Sequence, residues 1–182
     1  MLYKLSLNQK IAFSAVLAAI CIAIKSISIN IPPLKISFSY IPNFLAGIYL
    51  GPICGLAVGL IGDVLGTLIQ GGTPIILIAA ANGLMGFSMG MVFHYSYVNN
   101  LYFKIIAGAF TVLVLVTYGI NTLAFILPAP FGWPLYANYT IALTARMLQG
   151  VVLAANTVIV LAIYPVLDKA YFNKYKPKKQ KI

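Results

Sequence analysis

Acidic side chains are nearly missing from this chain. Of 182 residues only Asp63 and Asp168 carry a carboxylate, against 12 lysines and arginines. There is a single histidine, His94, and a single arginine, Arg146. Hydrolytic metal centres and membrane phosphotransferases need clusters of carboxylates or histidines, and this inventory cannot supply one. The two cysteines, Cys21 and Cys54, fall inside apolar segments and read as small buried hydrophobes, with no disulfide framework and no metal site implied. No GxxxxGK[ST] phosphate loop is present, so the chain does not hydrolyse nucleotide by itself. The run Gly86-Phe87-Ser88-Met89-Gly90 fits the GxSxG pattern, but it sits in a hydrophobic helix where a strand-to-helix elbow cannot form. His94, six residues after Ser88, falls on another face. The chain is read as a non-enzyme that needs no cofactor.

What the sequence has in excess is apolar surface. Hydrophobic residues make up 62% and charged residues 8%, with a mean hydropathy of +0.97. That is too little polar surface to cover a soluble globule, so the chain is expected in a bilayer. The apolar runs are too long for barrel strands and do not alternate, which leaves helices. An all-α membrane protein with six transmembrane helices is predicted, at about 8–28, 38–50, 52–70, 75–95, 101–127 and 136–171, in one domain. Ile31-Pro32-Pro33 ends the first helix, because proline lacks the amide donor and pushes its predecessor out of helical geometry. Gly51-Pro52 separates the short second helix from the third. The sixth is too long for one straight span, so a kink or a loop-like start is expected.

Orientation follows from the lysines. Lys4, Lys10 and Lys104 and the basic tail beyond Asp168, with six lysines between Lys169 and Lys181, fall on one side of a six-helix arrangement. The positive-inside rule makes that side cytoplasmic and puts both termini there. This bias accounts for most of the net charge of +10 and fits contact with anionic lipid, with no need for nucleic acid. The outer loops are then Ile29 to Ser37, Gly71 to Pro74 and Pro128 to Pro134, with Lys35 their only charge. Lys25, near the outer end of helix one, favours a retained span over a cleaved signal peptide.

Asp63 lies in an apolar run, where a lone carboxylate costs several kcal/mol unless it is paired or protonated. Gly55, Gly59, Gly62 and Gly66 recur on one helical face and permit close backbone approach. Asp63 borders that face and is expected to point into the bundle. In the last helix Arg146, Gln149, Leu153 and Asn156 share a stripe, and Arg146 is the leading candidate partner for Asp63. Such a pair either fixes helix packing or contacts a ligand. Asn82, Thr117, Tyr118 and Asn121 either bond between helices or line an outward-facing pocket. Phe38, Tyr40, Phe131, Trp133, Tyr136 and Tyr139 cluster near its mouth, as an interfacial belt or as a lid over a flat ring. Ala15, Ala19 and Ala23 make a smooth strip on helix one, suited to packing in the bundle or to docking another helix.

The run from Ile41 to Ile69, IPNFLAGIYLGPICGLAVGLIGDVLGTLI, followed by AAANGLMG from Ala79 to Gly86, resembles the substrate-binding S components of energy-coupling factor (ECF) vitamin transporters. VTYGINTLAF from Val116 to Phe125 and the alanine strip add to the resemblance, which covers most of the chain and is strongest to the folate-type group. It implies capture of a vitamin or precursor from outside, with a transmembrane coupling subunit (EcfT-type) and two cytosolic ATPase subunits as partners. Ala15, Ala19 and Ala23 would contact the coupling subunit. The substrate-binding residues are then expected among Lys35, Phe38, Tyr40, Asp63, Asn82, Asn121, Trp133, Tyr136 and Arg146. A carboxylate could pair with Lys35 or Arg146, and a flat ring could stack on Trp133. Folate-like vitamins are favoured. Pantothenate, hydroxymethylpyrimidine and pyridoxine remain open, as does a stand-alone transporter or channel using Asp63 as an ion site, or a scaffold without ligand.

Overall fold

Ser6 opens the first helix with a capping box: Gln9 N donates to Ser6 Oγ at 3.4 Å and Ser6 N to Gln9 Oε1 at 3.0 Å. The computed structural model describes residues 5–31, 34–98, 100–128, 131–132 and 134–172, with 29–31, 34 and 35 described by their backbone alone. Helix α1 is Leu7–Ser26. A short antiparallel hairpin follows, β1 (Ile29–Ile31) with β2 (Leu34–Ile36), where a loop was expected. Helices α2 (Tyr40–Leu50), α3 (Pro52–Ile69), α4 (Ile76–Tyr95) and α5 (Leu101–Leu123) come next. Then come the short α6 (Tyr139–Ala145) and α7 (Gln149–Phe172).

Five of these, α1, α3, α4, α5 and α7, are long and apolar enough to cross a bilayer. The expected sixth span, α2, has 11 residues. At 1.5 Å per residue it is about 16 Å long, roughly half a hydrocarbon core. It is also the most enclosed element, with every residue but Ile41 buried. The last expected helix, 136–171, is in fact two, broken at Arg146–Leu148 between α6 and α7, and α5 is π-helical over Val112–Ile120.

The bundle is built around the Gly51-Pro52 corner. Gly51 takes φ of 102°, which only glycine adopts without strain, and Pro52 fills the first position of α3, where no amide donor is needed. Helices α2, α3 and α4 thereby pack on one another almost backbone to backbone. A Cβ on Gly55 would stand 2.5 Å from the Gly86 carbonyl oxygen, and one on Gly90 would stand 2.7 Å from Pro52 Cα. The other half of the α3 stripe turns to α1. A Cβ on Gly62 would meet Cys21 Sγ at 2.6 Å, and one on Gly66 would meet Lys25 Cδ at 2.7 Å. One row of glycines thus serves two neighbours.

Toward the end where α1 begins and α7 finishes, Phe44, Ile48, Leu50, Met89, Phe93 and Ile105 form a closed core. Phe172 at the end of α7 stacks on Tyr49 with ring centroids 4.0 Å apart, and Tyr49 Oη donates to the Tyr164 carbonyl at 2.9 Å. The shortness of α2 has the opposite effect at its other end. Both α2 and α3 meet at Gly51, but α3 is about 27 Å long, so α2 starts some 10 Å short of where α3 stops. Space is left there above Tyr40.

Candidate functional site

That space is a cavity of about 490 Å³. Its wall draws on the last turn of α1 (Lys25), the segment entering α2 (Ser37, Ser39, Tyr40), the end of α3 (Asp63, Thr67, Gln70) and the first turns of α4 (Ile78, Asn82). The end of α5 with its following turn (Asn121, Phe125) and the α6–α7 corner (Arg146, Gln149) close it. Each contributing element has one end on the side away from the start of α1 and the end of α7.

Asp63 is buried, but its partner is Lys25 and not Arg146. Lys25 Nζ donates to Asp63 Oδ1 at 2.5 Å, to the Asp63 carbonyl at 2.8 Å and to Thr67 Oγ1 at 2.7 Å. The reason is the glycine at position 66. Without a side chain there, the aliphatic stem of Lys25 lies directly over α3 and delivers its ammonium one turn back, at Asp63. Asn82 Nδ2 donates to the same Oδ1 at 2.8 Å, joining α4 to the cluster. Gln70 Nε2 donates to the Lys25 carbonyl at 2.6 Å and so finishes the last turn of α1.

Arg146 sits on the opposite wall. It ends α6, and its Nη1 donates to the Asn121 carbonyl at 3.0 Å while its guanidinium carbon lies 4.4 Å from the centre of the Phe125 ring. Gln149, one turn along, donates to Tyr40 Oη at 3.1 Å, and Asn156 Nδ2 reaches the Ser37 carbonyl at 3.1 Å. These two amides fasten α7 to the segment that enters α2. The expected stripe of Arg146, Gln149 and Asn156 therefore splits between cavity wall and anchor.

Of the residues proposed from sequence, Tyr40, Asp63, Asn82, Asn121 and Arg146 come together on the cavity wall. Phe38 is 48% exposed and off that wall, and Tyr136 is part-buried and also off it. Trp133 and the side chain of Lys35 lie outside the described residues. Sequence reasoning missed Lys25, Thr67, Gln70, Phe125 and the role of Gln149. Lys25 carried a usable signal, since an ionisable group within an apolar helix calls for a partner. Ala15, Ala19 and Ala23 are all exposed, and Ala15 and Ala19 line an apolar groove between α1 and α3.

Comparison with known proteins agrees with this architecture. Over 92% of this chain and 94% of the other, the fold superposes with TM-score 0.66 and 23% identity on a protein whose structure is described as FolT bound with folic acid. It also superposes, with TM-score 0.61 and 19% identity over 90% and 98% of the two chains, on the S component of a bacterial ECF transporter. A UPF0397 protein of Streptococcus gordonii is 25% identical over 169 residues, 86% of this chain and 87% of that one. The family model described as ECF transporter, substrate-specific component, matches residues 9–173. This chain belongs to the family of ECF transporter substrate-specific components, which are integral membrane proteins.

Proposed function

We propose that this chain is the vitamin-capturing subunit of an ECF importer in a bacterial plasma membrane, with both termini in the cytoplasm and the cavity opening outward. The observation that carries this reading is the cavity itself. It combines a polar cluster at one wall, a stacked arginine at the other and apolar surface between, at a volume suited to a vitamin-sized molecule. A folate-like ligand is favoured, supported by the likeness in fold to FolT bound with folic acid.

Capture alone moves nothing across the membrane, and the chain carries no nucleotide-binding loop. Transport energy is supplied by two cytosolic ATPase subunits through a transmembrane coupling subunit. The exposed strip Ala15, Ala19 and Ala23 is the surface that receives this partner, because small side chains let a second helix come close in lipid.

The test is a thermal-shift screen of the detergent-purified chain against a vitamin panel, with calorimetry on any hit, since a ligand bound only by the folded state raises apparent stability. One tight ligand, bound without other subunits, is the expected result. A folded protein that no vitamin stabilises would remove the capture reading.

A further inference from the structure

The Lys25–Asp63 pair changes the charge balance of the cavity. These two charges cancel, and among the described wall residues Arg146 is left as the one ion without a counter-ion. It is 6% exposed, and its Nε is buried with no hydrogen-bond acceptor among the described residues. A buried guanidinium with an idle donor is costly to keep, by several kcal/mol for an ion taken out of water. What holds it is favourable but incomplete. The Asn121 carbonyl lies at the C-terminal end of α5, where the helix dipole is negative, and the Phe125 ring face attracts cations. The side chain is fixed in place and still lacks an anion.

The opposite wall has a different deficit. Asp63 Oδ1 takes both Lys25 and Asn82, whereas Oδ2 has no hydrogen-bond partner among the described residues. Lys25 already supplies the opposite charge there, so a second cation is not called for. The group that suits Oδ2 is a neutral N–H donor.

Resting on the capture reading, we propose that the cavity selects a ligand with two unlike ends: a carboxylate taken by Arg146, and a neutral N–H-bearing ring edge taken by Asp63, which Lys25 and Asn82 hold in position. The class is therefore a ring-bearing carboxylic acid. Vitamins with a cationic ring, and neutral vitamins without an acid group, are rejected.

The experiment is calorimetry on the full chain in detergent with matched acid and neutral probes whose rings carry an N–H: pteroate and its amide, and biotin and its amide. In at least one pair the acid binds about 10- to 100-fold tighter than its neutral partner, the worth of a charge-assisted hydrogen bond. Arg146→Gln removes the acid's advantage over its neutral partner. For the acid that binds, methylation of its ring N–H weakens affinity about tenfold. Should Arg146→Gln fail to fold, the acid-to-neutral ratio of the unaltered protein decides the first half of the proposal by itself. A neutral probe binding as tightly as its acid overturns the Arg146 assignment while leaving vitamin capture intact. A methylated ring binding unchanged overturns the Asp63 assignment. If folded protein binds none of these probes, this proposal falls, and the vitamin panel decides the capture reading separately.

Discussion

Lys25 Nζ stands 2.5 Å from Asp63 Oδ1, with the two side chains each about 5% exposed, and so ties α1 to α3 across an otherwise apolar seam. Breaking such a pair from one side leaves a buried charge with nothing to balance it. Lys25→Met should therefore destabilise the protein by about 3–5 kcal/mol, and Asp63→Leu by a similar amount, whereas the double substitution should recover most of the loss. Thermal unfolding in detergent across the four proteins measures the coupling. Losses that simply add would show that the two groups do not depend on each other.

The glycine row on α3 predicts an order of sensitivity. At Gly55 a new Cβ meets the backbone of Gly86, which cannot step aside, but at Gly66 it meets Lys25 Cδ, the middle of a flexible side chain. Gly55→Ala should cost about 1–3 kcal/mol, the usual range for overpacking, and Gly66→Ala clearly less. Melting temperatures of the two variants in one detergent check the order, and the reverse order would contradict the close α3–α4 approach.

Asn156 lies deep in α7 and donates to the Ser37 carbonyl beside the cavity. Asn156→Leu should leave that carbonyl without its donor, cost about 1–3 kcal/mol, and speed amide exchange around residues 37–40 more than elsewhere. Hydrogen exchange with peptide resolution reads this directly. Uniform loss of protection along the chain would mean that Asn156 supports the fold generally and has no special hold on the cavity entrance.

Ala15 and Ala19 are exposed on α1, along its groove with α3. The double substitution Ala15→Leu and Ala19→Leu should shift the stability of the isolated chain by no more than about 0.5 kcal/mol per site, as surface changes do. It should also abolish co-purification with the coupling subunit. Unimpaired assembly would place the docking surface elsewhere.

Much of this arrangement is legible in the sequence because it depends on neighbours along one helix. Proline and glycine mark where helices stop, the glycine row marks a close-packed face, and a carboxylate within a span must point inward. The identity of Asp63's partner is not legible in that way. Arg146 and Lys25 are both polar residues near the same end of the bundle, and the choice between them rests on which helix lies against Gly66. Spacing within α3 cannot say so. The break at Arg146–Leu148 is foreshadowed only by excess length, which calls for a kink or a loop-like start; the polar residues Arg146 and Gln149 mark the place, but their spacing fits an unbroken helical stripe equally well. Phe125 gives no signal of its own in the sequence, and only the turn after α5 brings its ring under the Arg146 guanidinium.

The three helices joined at Gly51 have one more consequence. With glycine backbones touching where side chains would normally intervene, α2, α3 and α4 have no slack to slide or part. They behave as one solid stopper, backed by the Tyr49–Phe172 stack at its far end. A solute resting on Tyr40 has no path through that stopper. It can leave only on the side from which it entered.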